Sequence, residues 1–145
     1  MSAYTAMKAR HQKEIDAFPF FFAFNNQQFA EGMRGFGLNP GDTDKIYKLG
    51  SIGGFYRRTD SERLFEMFFR QAQELSTAIE NDATGDGFIY EMFNYELANH
   101  EYIVSGNVSS TLDALGYTFD EINKNKKLLH GLKKAIKAQR SDDYA

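Results

Sequence analysis

The chain has 145 residues, no cysteine and a formal net charge of −3, which predicts one small domain and excludes disulfides and cysteine-based catalysis or metal ligation. Aromatic residues make up 15% of the chain, so a core rich in aromatic rings is expected. No apolar stretch approaches the roughly 20 residues of a membrane span, and the polar N-terminal residues lack the apolar centre of a signal peptide. A cytoplasmic protein without a membrane partner is therefore expected.

The first half of the chain predicts an N-terminal helix followed by a small sheet. Residues 2–17 show weak helical periodicity, and Phe18-Pro19 ends this helix because the residue before proline disfavours helical dihedral angles. Asn25 or Asn26 is expected to cap a helix over residues 27–36. Short apolar segments between turn residues predict three strands, at about residues 20–24, 45–49 and 54–58.

The second half predicts helices that pack on this sheet. Periodicity and capping signals predict a short helix ending at Leu115 and three longer ones, at residues 61–80, 86–104 and 118–139. The expected inward stripe of the first long helix is Leu64, Phe65, Phe68, Phe69, Ala72, Leu75 and Ile79. The expected fold class is α+β, a small antiparallel sheet of three short strands packed against several helices. The expected organisation is an N-terminal helix, one α+β domain and a disordered tail, at residues 1–17, 18–140 and 141–145.

The central stretch, residues 86–104, contains the most distinctive candidate site. Asp86 lies at the expected N-cap of a helix that is buried on nearly every side. Glu96 and His100 are four residues apart and so lie on the same side of this helix. They are interpreted as a hydrogen-bonded pair that closes a polar gap in the core. Alternatively, they form half of a site for zinc or another divalent metal, or His100 acts as a general acid or base.

Charged side chains are unevenly spread and indicate two candidate partner-binding surfaces. The acidic candidates are Glu62, Glu66, Asp82 and Asp86. The basic candidates, from a segment without acids, are Lys126, Lys127, Lys133, Lys134 and Lys137. The simplest interpretation of the basic segment is a solvated helix surface. Residues 110–125 also look like a helix-turn-helix, which indicates nucleic-acid binding as an alternative, although Asp120 and Glu121 would repel phosphate.

Four segments of the chain resemble a known family, which composition and periodicity alone do not indicate. They are FAFNNQQF at 22–29, YKLGSIGGFYRR at 47–58, NYELANHEY at 94–102 and ALGYTFDEI at 114–122. Together they resemble a family of small proteins carried by phages, prophages and other mobile elements of bacteria, over residues 18–135. The resemblance supplies no catalytic residue. It implies a role in the host bacterial cytoplasm, where small phage proteins such as anti-CRISPR proteins bind and inhibit host defence proteins.

The leading expectation is therefore a phage-derived interaction protein, not an enzyme, that inhibits a CRISPR effector nuclease by binding and occluding it. Its acidic surface would mimic phosphate toward a basic nuclease channel. The first alternative is a metal-binding protein or hydrolase centred on Glu96 and His100. The second alternative is a nucleic-acid-binding protein that uses the basic C-terminal helix. No nucleophile, base and orienting residue can be assembled into a catalytic site from the sequence.

Overall fold

The computed structural model describes residues 2–50 and 52–143, and it confirms the α+β fold class. The chain divides into two compact units. Unit 1 comprises Met1–Gln12 and Gln73–Ala145, and unit 2 comprises Lys13–Ala72. The prediction of a single domain over residues 18–140 stays a prediction.

The described residues form eight α-helices and three strands. The helices are α1 (Ala3–Ala17), α2 (Asn26–Gly35), α3 (Ser61–Asn81), α4 (Phe88–Asn99), α5 (Tyr102–Ser105), α6 (Ser109–Leu115), α7 (Phe119–Lys124) and α8 (Lys126–Asp143). The strands are β1 (Phe21–Phe22), β2 (Ile46–Leu49) and β3 (Gly54–Arg57), which confirms the three predicted strands. Residues 141–143 of the predicted disordered tail continue α8. Residues 144 and 145 lie outside the described residues, and the disordered tail stays a prediction. Within the described ranges, no helix is both long and apolar enough to cross a membrane.

The sheet of unit 2 has β3 at its centre, paired antiparallel with β1 on one side and β2 on the other. Side chains alternate between the two faces of a strand. Phe21 and Phe55 therefore share one face, where their rings stack with centroids 5.1 Å apart and meet Phe29 of α2. Tyr56 points to the other face and packs with the buried Leu64 of α3. The sheet thus separates two small aromatic clusters within this unit.

The core of unit 1 is built on α4. Four of its apolar side chains are almost completely buried: Ile89, Met92, Phe93 and Leu97. The periodicity predicts these four residues to be buried, which is confirmed. It also predicts burial of Val104, which is wrong because Val104 is 85% exposed. α4 packs along α8, which contributes the buried side chains Leu128, Leu132 and Ala135 to the same cluster.

The predicted helix over residues 86–104 is wrong in its extent, because it is interrupted at residue 101. α4 ends with His100 as its C-cap. Glu101 then adopts a left-handed conformation with φ of 56°, and α5 begins at Tyr102. Residues other than glycine rarely adopt this conformation, so the sequence offers no signal for the interruption.

The predicted helix over residues 118–139 is also divided, at Asn125. Thr118 begins α7 with the predicted capping box, in which it is paired with Glu121. Asn125 is extended and its side chain accepts hydrogen bonds from the backbone N–H groups of Lys127 (3.1 Å) and Leu128 (3.2 Å). Asn125 therefore caps a new helix, α8, in the middle of a continuous helical pattern.

Candidate interaction surface

The first half of α3 presents a face on which aromatic and acidic side chains alternate. Phe65 and Phe69 lie one turn apart and are 61% and 66% exposed. Glu62 and Glu66 are exposed on the same side of the helix. These four residues are called the acidic–aromatic face below.

The prediction that Phe65, Phe69 and Ala72 face inward is wrong, because all three are exposed. The buried stripe of α3 is Leu64, Met67 and Gln71, which lies on the opposite side of the helix. Apolar side chains occupy more than half of the circumference of this first half of α3, and the sheet covers one side only. This wide apolar sector indicates that some of the rings remain exposed, but the sequence does not identify which ones.

The acidic–aromatic face has uncompensated negative charge. Among the described residues, neither Glu62 nor Glu66 has a Lys, Arg or His nitrogen within 4 Å. The nearby Arg63 contacts Asp60 at 3.9 Å, and Arg70 is paired with Glu14. Two bare carboxylates beside two exposed rings form a surface that is complementary to a basic and partly apolar partner.

Unit 2 exposes a second apolar group where β1 ends beside the turn between β2 and β3. Phe22, Phe24 and Ile52 are all more than half exposed. Phe24 contacts the turn closely, since a Cβ atom on Gly53 would lie 2.8 Å from its ring. The sequence predicted the segment over residues 20–24 to be a buried strand, so these rings were missed as surface residues.

Asp82 is bound to the backbone that precedes α4. Its carboxylate accepts hydrogen bonds from the N–H groups of Gly85 (2.9 Å), Ile89 (3.0 Å) and Gly87 (3.1 Å), and from Thr84 at 3.3 Å. Burial acts to raise the pKa of Asp82, but the backbone hydrogen bonds outweigh it and hold that pKa below its ordinary value. Asp82 thus caps the N-terminal end of α4 from the preceding loop. The predicted N-cap role of Asp86 is wrong, because the N-cap residue is Gly87.

We expect Asp82→Ala to lower the free energy of unfolding by about 1–2 kcal/mol, since it removes the acceptor for these N–H groups. Because the folded state lowers the pKa of Asp82, the ionised carboxylate stabilises the protein at any pH above its ordinary pKa of about 3.9. This stabilisation is lost as the pH falls through the lower pKa of the folded state. Denaturant unfolding at neutral and acidic pH measures both effects. The exposed Asp113 provides the control, and equal losses in Asp82→Ala and Asp113→Ala would contradict the capping role.

Asp86 is paired with α8 inside unit 1. Its Oδ1 atom lies 2.7 Å from Nε2 of His130 and 3.3 Å from Nζ of Lys134. The hydrogen bonds to His130 and Lys134 hold the pKa of the Asp86 carboxyl below its usual range. The Lys134 ammonium also lies 4.7 Å from the ring centre of Tyr90. The structure therefore brings two predicted partner-binding residues, one acidic and one basic, together as an internal pair.

The remaining basic candidates all lie on α8 but differ in their surroundings. Lys127 donates through Nζ to the carbonyl oxygens of Glu80 (3.0 Å) and Ile79 (3.4 Å) at the end of α3, where it satisfies free carbonyl groups of the helix terminus. Lys126, Lys133 and Lys137 are exposed. They have no carboxylate within 4 Å among the described residues.

Glu96 is paired with Lys8, a residue that the sequence did not indicate. The Glu96 side chain is only 5% exposed, and its Oε1 atom lies 2.7 Å from Nζ of Lys8. The same ammonium lies 5.0 Å from the ring centre of Tyr95, a favourable cation–π distance. Burial, reinforced by the Glu96 charge, raises the pKa of Tyr4 well above its usual range. His100 donates its backbone N–H to the Glu96 carbonyl oxygen at 2.9 Å.

This geometry gives little support to the metal-site alternative. Lys8 holds the position beside the Glu96 carboxylate that a metal ion would need. Among the described residues, no three His, Cys, Asp or Glu side chains are close enough together to hold a metal ion. The metal site and the hydrolase centred on Glu96 and His100 stay predictions.

Comparison with known proteins places the chain in a family. No curated protein and no solved structure matches it. A family match covers residues 3–138, a range that includes the acidic–aromatic face, the Glu96–Lys8 pair and most of α8. The chain therefore belongs to DUF7659, a family of unknown function.

Proposed function

We propose that the protein is an interaction protein that binds a basic surface of another protein through the acidic–aromatic face of α3. One observation carries this proposal: Phe65 and Phe69 are both more than 60% exposed beside two carboxylates without a cation partner. Covering apolar surface stabilises a complex by about 25 cal/mol per Å² removed from water. Aromatic side chains are frequent anchors of protein interfaces, and bare carboxylates favour a basic partner.

The proposed partner is a host defence nuclease, of which a CRISPR effector is the leading candidate. The resemblance to phage-borne proteins supports this partner class. Nucleases carry basic channels that bind the phosphate backbone, and an acidic protein can occupy such a channel. Occlusion would inhibit cleavage and would need no catalytic group on this chain.

Two of the four acidic candidates remain for the proposed mimicry of phosphate. Asp82 and Asp86 are engaged within unit 1, whereas Glu62 and Glu66 remain available to a partner. These two lie one turn apart, about 6 Å along the helix axis. Phe65 and Phe69 lie beside them and supply the apolar contact area that a purely acidic mimic lacks.

We expect Phe65→Ala and Phe69→Ala each to weaken binding to the nuclease by about tenfold or more. Glu62→Gln with Glu66→Gln is expected mainly to slow association and to reduce its salt dependence. Biolayer interferometry against purified candidate effector nucleases measures both, and a cleavage assay measures inhibition. Phe119→Ala is the matched control because Phe119 is 54% exposed on α7, in the other unit.

Two results would contradict the proposal. One is the absence of binding to every effector nuclease tested. The other is a complex whose affinity is the same for wild type and for the variant that lacks both rings. Circular dichroism of each variant checks that the fold is intact, and little change is expected because both rings are exposed.

A further inference from the structure

Four basic side chains form a stripe along one side of α8. Lys126, Lys133, Lys137 and Arg140 follow one another at intervals of seven, four and three residues, and all four are exposed. At 100° per residue these intervals keep them within a sector of about 60°. The stripe, called the basic stripe below, extends over about 21 Å of the helix axis.

The basic stripe is not neutralised by any residue whose side chain the structure describes, up to Ser141. Among those residues, no carboxylate oxygen lies within 4 Å of any of its four side chains. Arg140 donates from Nε to the hydroxyl oxygen of the buried Tyr102 at 3.2 Å. A guanidinium has five N–H donors, so this bond holds Arg140 in place and leaves donors for a ligand. Lys127 and Lys134, by contrast, are engaged inside unit 1.

A groove of about 320 Å³ follows the C-terminal half of the stripe. It is lined by Lys133, Ile136, Lys137, Arg140 and Ser141. Its three cations provide many hydrogen-bond donors, and none of these lining residues carries a carboxylate. The Ser141 hydroxyl is already engaged, because it donates to the carbonyl oxygen of Lys137 at 2.9 Å. Charge-assisted hydrogen bonds from such donors are the usual means by which proteins hold phosphate oxygens.

We propose that the basic stripe binds the phosphodiester backbone of a nucleic acid, without reading its sequence. A row of cations over about 21 Å matches a linear polyanion, whereas a single small phosphate would use the groove alone. Single strands and duplexes share this backbone chemistry. The exposed acids of the chain and its net charge of −3 oppose binding, so the complex is expected to be weak and strongly salt-dependent.

An anionic membrane is a poorer match for the basic stripe. A helix that binds at a membrane surface places a large apolar face among the lipids. The apolar side chains of α8 that would form this face, Leu128, Leu132 and Ala135, are buried in the core of unit 1. The apolar side chains beside the stripe, Leu129 and Ile136, are partly buried against the same core.

The test is fluorescence anisotropy with labelled oligonucleotides of mixed sequence, one single-stranded and one duplex, over a range of salt concentrations. Binding to at least one of them at low salt is expected, with an affinity that falls steeply as salt is added. Lys133→Gln with Lys137→Gln should weaken binding at low salt by about tenfold and lower the slope of log K against log [salt] by about 2, one for each lost phosphate contact. Whichever oligonucleotide binds more tightly identifies the form of nucleic acid that the stripe prefers.

The matched control is Lys45→Gln with Lys48→Gln, which makes the same change in net charge at two exposed lysines of unit 2. It should retain most of the binding. Flat titrations with both oligonucleotides, or equal losses in the two double variants, would overturn the proposal. Binding to phosphatidylserine vesicles without binding to either oligonucleotide would overturn it as well. The variant that lacks Phe65 and Phe69 should bind oligonucleotides normally, so this result is independent of the proposed partner of α3.

Discussion

We expect Lys8→Met to lower the free energy of unfolding by about 3 kcal/mol. Removing one member of a buried ion pair leaves the other charge in a site of low polarity, at a cost of about 3–5 kcal/mol. The loss of stability should lie at the lower end of this range. Glu96 is buried, with 5% of its side chain exposed, but the Lys8 side chain is 45% exposed and partly solvated. Denaturant unfolding at neutral pH, followed by circular dichroism, measures the change.

Two further variants separate the ion pair from the general effect of removing a lysine. Lys13→Met removes an exposed lysine from the same helix and should change stability by no more than about 0.5 kcal/mol. Lys8→Met with Glu96→Leu removes both charges and should recover most of the loss, because apolar replacement of a whole buried pair is often neutral. If Lys8→Met and Lys13→Met were equally stable, the pair would contribute nothing measurable.

Gly85→Ala is expected to destabilise the protein by a similar amount, about 3 kcal/mol. Gly85 has φ of +90°, and a Cβ atom there would lie 2.3 Å from the backbone carbonyl oxygen of Lys127. The left-handed conformation costs a residue other than glycine about 1–2 kcal/mol, and overpacking adds about 1–3 kcal/mol. The clash involves backbone, so α8 or the loop before α4 must shift to relieve it. Thermal unfolding measures the loss.

Gly35→Ala is the matched control for this substitution. Gly35 is the last residue of α2, has no positive φ and has no atom within 4 Å of a Cβ position. Alanine there should be neutral or stabilising by up to about 1 kcal/mol. A Gly85→Ala protein as stable as Gly35→Ala would show that the loop can move away from α8 at little cost.

Most of the fold was predictable because its signals are local. The capping box at Thr118 and the stop at Gly116, which has φ of +80°, are set by residues within one turn. The breaks at Glu101 and Asn125 were missed because neither has a proline or glycine beside it. Each interrupts a helical pattern that continues on both sides, so the periodicity alone did not indicate either break.

The candidate sites were harder to predict because a side chain's role depends on distant partners. Glu96 was identified as a buried polar residue, but its cation comes from Lys8, 88 residues away in the sequence. Asp86 is paired with His130 over a separation of 44 residues. The sequence shows which charges exist and which segments are apolar. It does not show which charges pair with each other, and therefore which ones remain for a partner.

The discontinuity of unit 1 has a consequence for the order in which the chain acquires its structure during synthesis. Tyr4 packs against Phe88 and Tyr95, with ring centroids 5.7 and 5.8 Å from its own, yet these two residues lie 84 and 91 positions further along the chain. At 5–20 residues per second, the ribosome needs about 4–18 s to span that interval. Unit 2, whose residues are contiguous, is complete well before then. We therefore expect Tyr4 and Lys8 to stay uncovered on the nascent protein until α4 has emerged, which leaves this part of the N-terminal helix accessible to chaperones and proteases for that interval.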